Sequence, residues 1–231
     1  MEPEFQRLHV VVTGSTGALG TAMVTHLAER GAICHLPVRR AGGATGLPPT
    51  CRVVAGVDLT DEASIATFYA GLPELWASIH CAGGFAMATI ADTSLDLWTK
   101  MWSLNASSAF LCCREAVRAI RRTAGGGRIV NVAARPSLQP AAGAGMAAYA
   151  ASKAALGALT IALAHELIED RVWVNAVAPS ILDTPDNRRS MPDADWSRWP
   201  KLGEVAELIA FLASPRNATT SGSIVPAYGR A

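Results

Sequence analysis

The chain has 231 residues, of which 50% are hydrophobic and 17% are charged, and its formal net charge is +1. This length and composition suit a single domain with a sizeable core, which we place at residues 1–231. The nearly neutral charge predicts no nucleic-acid or other polyanionic partner, so we expect a small-molecule substrate.

The cysteines and the apolar segments indicate a cytoplasmic protein. The five cysteines are an odd total without paired metal-ligand spacing, which predicts reduced thiols and no metal site. The sequence lacks an uncharged apolar run of about 18 residues, the length needed to cross a membrane. Its first seven residues lack the apolar core of a signal peptide. We therefore expect no membrane association and no export.

Short β-branched runs alternate with segments of helical apolar spacing along the whole chain. The predicted strands cover residues 8–13, 32–38, 52–57, 76–81, 128–133, 172–177 and 223–225. The predicted helices cover residues 18–30, 60–71, 95–122, 147–169 and 205–213, and a Gly/Pro-rich loop covers 41–50. This alternation predicts an α/β fold of the Rossmann type: a single domain with a doubly wound, mostly parallel sheet and helices on both faces.

A glycine-rich turn joins the first strand to the first helix. Its residues are Gly14, Ser15, Thr16, Gly17, Ala18, Leu19 and Gly20. Glycine at every third position lets the chain turn tightly and lets backbone N–H groups approach a pyrophosphate at the N-terminus of the helix. The alternative is a plain strand-to-helix connection with glycine caps. Because the motif lies between a predicted strand and a predicted helix, we favour dinucleotide binding.

Two later segments agree with dinucleotide binding. Asp58, followed by Leu59, lies at the end of the third strand, where its carboxylate can accept a hydrogen bond from the adenine amino group. Alternatively, Asp58 caps the helix that begins near Thr60. The small residues of the segment Cys81-Ala82-Gly83-Gly84 let the backbone pass close to a cofactor, or they simply form a loop.

The end of the second strand distinguishes between the two nicotinamide dinucleotides. An acidic residue there would bind the ribose 2′-hydroxyl of NAD, but the segment ends in Val38-Arg39-Arg40. Two adjacent guanidinium groups suit a 2′-phosphate, although they are also compatible with ordinary solvated charges. We therefore predict NADP(H) in preference to NAD(H).

Tyr149 and Lys153 are four residues apart in an alanine-rich segment that is predicted to be helical. At this spacing the two side chains share one helix face and can reach one ligand together. A nearby ammonium group favours the phenolate and lowers the phenol pKa toward neutral pH, which suits a proton donor. The spacing alone is common in surface helices and carries little weight.

Taken together, the motifs resemble the short-chain dehydrogenase/reductase family in their order and approximate spacing. Besides the turn, Asp58, the segment 81–84 and the Tyr149/Lys153 pair, the matching segments are Leu104-Asn105-Ala106-Ser107, Gly127-Arg128-Ile129-Val130-Asn131-Val132 and Val174-Asn175-Ala176-Val177-Ala178-Pro179. The resemblance implies that a tyrosine protonates the substrate as hydride arrives from the nicotinamide.

The same resemblance implies individual roles. Tyr149 is the proton donor, Lys153 binds the nicotinamide ribose and tunes Tyr149, and Pro179 contacts the cofactor. Asn105 holds a water molecule that links Lys153 to solvent. Alternatively or in addition, the Asn105 side chain satisfies helix backbone.

One position departs from the family pattern. Most relatives have a serine that donates a hydrogen bond to the substrate carbonyl at the end of the fifth strand, but this chain has Ala133-Ala134 there. Ser137 is a candidate substitute if residues 135–146 fold back, although a loop serine beside a proline is more often structural. The missing serine is the main reason to consider a non-catalytic dinucleotide-binding sensor or scaffold instead. The joint presence of tyrosine, lysine and asparagine favours an enzyme.

A second resemblance, to dihydropteridine reductases, concerns the substrate side. Those enzymes also lack the serine, and the similar segments are Cys81-Ala82-Gly83-Gly84-Phe85, Leu182-Asp183-Thr184-Pro185, Asn187-Arg188, Met191-Pro192, Ala194-Asp195 and Trp199. The resemblance implies a small planar carbonyl or imine-like substrate, with a quinonoid dihydropterin as one candidate. Val38, where those enzymes have an acidic residue, and the retained Asn105 are departures from this pattern.

Residues 180–200 and the two longest helices complete the predictions. The segment 180–200 contains Trp196 and Trp199 and is predicted to cover a flat substrate, with core packing of the two rings as the alternative. The helices 95–122 and 147–169 carry apolar and small residues on more than one face. Such helices often pack against another subunit, so we expect a homodimer or homotetramer.

Overall fold

The computed structural model describes residues 4–40, 47–123 and 125–231. Most of the predicted loop at 41–50 therefore lies outside the described residues. Within the described ranges, seven strands form one sheet in the order β3-β2-β1-β4-β5-β6-β7, and every neighbouring pair is parallel. The strands are β1 His9–Thr13, β2 Ile33–Val38, β3 Cys51–Ala55, β4 Ala77–His80, β5 Gly127–Val132, β6 Val172–Pro179 and β7 Ile224–Ala227. The predicted fold class is confirmed.

Helices cover both faces of the sheet. They are α1 Ala18–Ala28, α2 Glu62–Ala70, α3 Leu95–Met101, α4 Ser108–Arg121, α5 Ala147–Glu166, α6 Pro185–Ser190 and α7 Leu202–Ala213. The predicted helix at 95–122 is interrupted, because a π-helical segment, Trp102–Ser107, separates α3 from α4. The short helix α6 was not predicted, since its six residues, a proline followed by five polar residues, show no apolar period.

The sheet is buried on both faces because helices cover both, and successive residues of a strand point to opposite faces. In β1, Val10 and Val12 pack with α1 and α7, while Val11 packs with α2 and α4 on the other face. This explains why β1 reads as a continuous apolar run. The strand β3, at the edge, differs: Val53 and Val54 are each 39% exposed.

The strand order changes direction between β1 and β4, which leaves a crevice at the carboxyl ends of these two strands. The glycine turn follows β1 and the segment 81–84 follows β4, so both border this crevice. The two are in close contact: Gly14 has φ +67°, and a Cβ atom on it would lie 2.6 Å from Ala82 N. The crevice therefore requires glycine at position 14.

The helix α5 carries the Tyr149/Lys153 pair. Its length of 20 residues and its mean hydropathy of 1.4 are sufficient to cross a membrane, judged by composition alone. Its buried residues, however, form a stripe toward the sheet that includes Lys153, Leu156 and Thr160. The helix is thus accounted for as a core element of the domain.

Candidate active site

A cleft of about 710 Å³ opens at the crevice between β1 and β4. Of the cofactor-binding residues predicted from the sequence, it is lined by Gly14, Ser15, Thr16, Gly17, Arg39, Arg40, Leu59, Ala82 and Gly83. It is also lined by Pro37, Val38, Val57, Thr60, Cys81, Leu104 and Ser108. Leu104 of the π-helical segment and Ser108 at the start of α4 also form part of the wall, and no local sequence signal marks these two residues as a binding surface.

The turn itself fits a dinucleotide pyrophosphate. A Cβ atom on Gly20 would lie 2.0 Å from Gly14 O, so the first turn of α1 lies against the backbone of the loop. The α1 N-terminus, with Gly17 at the N-cap, has no side-chain cap. The Ser15 hydroxyl is buried and has no hydrogen-bond partner among the described residues. Free backbone N–H groups and a free hydroxyl at a helix N-terminus form an anion site. Ala18 and Leu19 belong to the first turn of α1 and contribute backbone N–H groups to this site.

The structure places Asp58 and Arg39 together. Asp58 Oδ1 accepts hydrogen bonds from Thr60 N at 2.8 Å and from Arg39 Nη2 at 3.2 Å. The Thr60 N–H donor, together with the Thr60 hydroxyl and Arg39, holds the pKa of the Asp58 carboxyl below its usual value. The alternative that Asp58 caps α2 is wrong, because Asp61 is the N-cap and accepts from Ser64 N.

Lys153 lies close to the segment that follows β4 and borders the cleft. A Cβ atom on Gly83 would lie 3.3 Å from Lys153 Nζ and 2.7 Å from Asn105 Oδ1. Lys153 is 6% exposed, and its Nζ donates to Val132 O at 2.7 Å. Gly83 lines the cleft, so the lysine, the asparagine and the cleft meet at one point.

The ionisation of the predicted pair departs from expectation. Burial raises the pKa of the Tyr149 phenol to about 12, and it lowers the pKa of the Lys153 ammonium to about 8. The first shift is opposite to the one we expected from a nearby ammonium group. Its cause is that removal of the phenolate from water dominates, while Lys153 donates to the Val132 backbone. At neutral pH Tyr149 therefore holds its proton and Lys153 is mostly charged.

The π-helical segment directs Asn105 toward the end of β4. The Asn105 Nδ2 group donates to Gly84 O and to Ser152 Oγ, both at 3.0 Å, and Gly84 N donates to Asn105 Oδ1 at 2.9 Å. Ser152 Oγ in turn donates to Tyr149 O at 2.8 Å. Asn105 thus connects β4 to the first turn of α5 instead of satisfying its own helix. Single-turn π segments are frequent at functional sites.

Ser152 was not predicted as a site residue. The sequence feature that could have indicated it is its position three residues after Tyr149. A serine at that spacing reaches the carbonyl of the preceding turn and offers its oxygen to a third group.

The position of the missing serine stays apolar. Ala133 and Ala134 are 3% and 6% exposed. The Ser137 hydroxyl donates to Lys153 O at 2.9 Å and accepts from Ala134 N at 3.4 Å. These contacts anchor α5 to the loop after β5, so in this structure the Ser137 hydroxyl is engaged by backbone and not presented as a substitute donor.

One aromatic ring, that of Phe85, packs against Tyr149. Phe85, which is 60% exposed, lies edge-on to Tyr149 with a centroid distance of 5.0 Å. The segment 180–200 is held by its own contacts: Trp196 Nε1 donates to Met191 O at 2.9 Å, and the Arg188 guanidinium lies 4.9 Å from the Trp196 ring centroid. Trp199 is 7% exposed, which favours its predicted core role.

The remaining predicted residues lie near these groups but outside the cleft lining. Pro179 ends β6, and the five β6 residues directly before it are buried. Gly84 follows the cleft residue Gly83 and bonds Asn105. Among the described residues no cluster of three or more metal-binding side chains occurs.

Comparison with known proteins identifies the family to which the sequence is similar. The sequence profile of the short chain dehydrogenases matches residues 8–195. YohF of Escherichia coli (strain K12), an uncharacterized oxidoreductase, is 36% identical over 156 residues, which are 64% of this chain and 61% of that protein. The chloroplastic NADPH-dependent aldehyde reductase 2 of Arabidopsis thaliana is 28% identical over 252 aligned positions, covering 95% of this chain and 92% of that protein.

The fold is shared with solved structures. One of them, a short chain dehydrogenase/reductase family protein, superposes with a TM-score of 0.89 at 27% identity and covers 98% of this chain and 97% of that chain.

Proposed function

Because this chain belongs to the short-chain dehydrogenase/reductase family, we propose that it reduces a small planar carbonyl or imine-like compound with NADPH. A quinonoid dihydropterin is one candidate substrate. When bound, the cofactor supplies the hydride.

One juxtaposition carries this proposal. Gly83 lines the nucleotide cleft, and a side chain there would collide with Asn105 Oδ1 at 2.7 Å and approach Lys153 Nζ at 3.3 Å. Two of the three residues proposed to act in catalysis, Lys153 and Asn105, therefore lie directly against the cleft. The glycine turn lines the same cleft, so a dinucleotide with its pyrophosphate at the turn would lie near them.

The roles of the side chains follow from their surroundings. The Tyr149 phenol keeps its proton at neutral pH and donates it to the substrate nitrogen or oxygen as the hydride adds to carbon. The substrate thus gains two electrons, and Tyr149 is left as a phenolate. The mostly protonated Lys153 stabilises that phenolate electrostatically. Asn105 and Ser152 fix the backbone around both groups.

The preference for NADPH is supported by charge. Arg39 and Arg40 line the cleft, and β2 ends at Val38 without an acidic residue. Guanidinium groups bind phosphate oxygens in a bidentate fork. The Arabidopsis relative is named as an NADPH-dependent aldehyde reductase, which agrees with this assignment. Titration of the protein with each reduced cofactor tests it, and tighter binding of NADH would refute it.

The planar substrate is supported by three exposed apolar side chains. Phe85 follows β4, Leu138 follows β5 and Ile181 follows β6, and they are 60%, 40% and 41% exposed. The carboxyl ends of neighbouring parallel strands meet at one edge, so these side chains offer an apolar surface on the Tyr149 side. With Ala134 in place of the serine, a substrate that needs little polarisation of a carbonyl is favoured.

The test is NADPH oxidation with a panel of quinonoid dihydropterin, quinones, cyclic imines and ketones. We expect turnover with at least one planar member. Tight NADPH binding without turnover of any member would support a dinucleotide-binding sensor or scaffold instead.

We also propose a homodimer or homotetramer. Phe110 of α4 and Ile161 of α5 are 46% and 42% exposed and offer apolar surface for a second subunit. Light scattering at micromolar concentration tests this, and a monomer would count against it.

A further inference from the structure

A continuous polar network is buried between the sheet and helix α5. The Cys113 thiol of α4 lies 3.6 Å from both His80 Nδ1 and Asn131 Oδ1. The other members are Tyr69 of α2, Ser78 and His80 of β4, Asn131 of β5 and Thr160 of α5. Hydrogen bonds of 2.8, 2.8, 2.8 and 3.0 Å join successive members in that order. Each member is at most 2% exposed. None of these residues belongs to the proposed catalytic set.

Thr160, at the α5 end of the buried polar network, determines which group donates and which accepts in each of its hydrogen bonds. The Thr160 hydroxyl donates to Leu156 O at 2.8 Å, so Thr160 Oγ1 accepts from Asn131 Nδ2. Asn131 Oδ1 then accepts from His80 Nδ1, which leaves His80 Nε2 to accept from the Ser78 hydroxyl. His80 is therefore the neutral tautomer with its proton on Nδ1. Burial lowers the pKa of His80 to about 4, which agrees with a neutral ring.

Strand register supports the central contact. His80 and Asn131 are register partners on the adjacent parallel strands β4 and β5, so their side chains leave the sheet on the same face. Their hydrogen bond holds the Asn131 amide with Nδ2 toward α5.

Thr160 shares a helix stripe with the proposed catalytic pair. Tyr149, Lys153 and Thr160 are spaced by four and seven residues, which places them along one face of α5. Two consecutive residues of β5 hold this stripe: Asn131 donates to Thr160, and Val132 O accepts from Lys153 Nζ. The Asn131–Thr160 contact, two helical turns from Lys153, is therefore one of the contacts that fix α5 along β5.

We propose that His80, Asn131 and Thr160 are positioning residues for the reductase, acting by setting where α5 lies along β5. Through α5 they set the positions of Tyr149 and Lys153. A helix rises about 1.5 Å per residue, and a misplacement of about 1 Å costs up to about a hundredfold in rate. The inference rests on the proposed function for its catalytic readout.

The test variant is Thr160→Val, which keeps the branched shape but removes the oxygen that accepts from Asn131. We expect kcat to fall about tenfold or more and the apparent pKa of the kcat profile to shift. NADPH should bind about threefold more weakly, because Lys153 is proposed to contact the nicotinamide ribose. Thr160→Ser keeps the hydroxyl and should restore kcat, the pH profile and NADPH affinity.

Tyr69→Phe is the matched control. It removes a buried hydroxyl from the far end of the network and leaves the connection from His80 to Thr160 intact. It should lower the unfolding temperature without changing kcat or the pH profile. If Thr160→Val does not fold, Thr160→Ala removes the same hydroxyl and takes its place.

Two outcomes overturn the positioning role. In one, Thr160→Val lowers only the unfolding temperature and leaves kcat and the pH profile unchanged, as is expected for Tyr69→Phe. In the other, Tyr69→Phe lowers kcat as much as Thr160→Val. If the unaltered protein binds NADPH but reduces no substrate, the proposed function fails by itself. The NADPH affinities of Thr160→Val and Thr160→Ser then decide, and equal affinities refute the positioning role.

Discussion

The two sides of the cleft differ in the exposure of their functional groups. The glycine-turn side offers mainly backbone and exposed charged side chains, whereas the polar side chains on the α5 side are buried. Arg39 and Asp58 have side chains that are 60% and 47% exposed. Lys153 and Asn105 are 6% and 1% exposed. Exposed charges change the free energy of unfolding little, but a buried ammonium group lowers it because the charge is removed from water. We therefore expect nucleotide binding to respond mainly to changes of shape and surface charge, and the proposed reaction to respond to changes in the core that places Lys153 and Asn105.

The largest expected effect is on the α5 side. Tyr149→Phe removes the proposed proton donor and should lower kcat by about 10²- to 10⁴-fold. NADPH affinity should stay within about twofold, because the glycine turn and the arginines are untouched. Turnover and NADPH fluorescence titration measure the two quantities. A comparable loss of affinity would show that the two sides are not separable.

Tyr228→Phe is the control for this prediction. The Tyr228 hydroxyl is buried and has no hydrogen-bond partner among the described residues. Its removal should leave kcat unchanged, so a loss there would indicate a general effect of replacing tyrosine.

The second effect concerns the glycine turn. Gly14→Ala places a Cβ atom 2.6 Å from Ala82 N at a φ of +67°. The backbone of the turn or of the segment after β4 must shift, so NADPH should bind at least about tenfold more weakly. Gly56→Ala is matched for backbone strain, with φ +82° and nothing within 4 Å of the added atom. It should lower stability by about 1 kcal/mol without altering NADPH affinity. Equal affinities for both variants would contradict the close-contact explanation.

The sequence was informative where a function depends on local spacing. The glycines of the turn and the pair of Tyr149 and Lys153 are within one turn or one helix, so periodicity and flanking elements locate them. The change from α3 to a π-helical segment was not predictable, because Asn105 adopts it to meet Gly84, a contact between distant parts of the chain.

Long-range contacts also explain the other differences from prediction. Asp58 has Arg39 as a partner 19 residues away in the chain, while its contact with an adenine stays a prediction. Ser137 was considered as a substrate donor, and its hydroxyl instead bonds the α5 backbone at Lys153. Which partner a polar side chain finds is decided by tertiary packing, and a single sequence does not contain that information in local form.

A third, smaller effect follows from the buried ammonium group. Burial lowers the pKa of Lys153 from 10.5 to about 8. Between these values the unfolded state binds more protons than the folded state, so stability rises with pH from about 8 to 10.5 and is lowest below pH 8. Lys153→Met removes this cost and should stabilise the protein at pH 7 by about 2 kcal/mol, after the lost bond to Val132 O is counted.

Urea unfolding at several pH values measures this effect. The gain in the free energy of unfolding should be largest at pH 7 and should shrink as the pH approaches 10.5. Activity should be lost over the same series. A destabilised Lys153→Met variant at pH 7 would mean that the ammonium group is better solvated than its burial indicates.

The smallest effect is expected from the exposed arginines. Arg40→Ala should weaken NADPH binding by about tenfold, the value of one charge-assisted contact to phosphate, and NADH binding by less than about twofold. Arg39→Ala should cost less, because Asp58 already neutralises part of the Arg39 charge at 3.2 Å. Because both guanidinium groups are in solvent, the preference for NADPH should decrease as salt is raised. Affinity titrations of both cofactors at low and high salt measure it, and an equal loss for NADH and NADPH would separate these arginines from the 2′-phosphate.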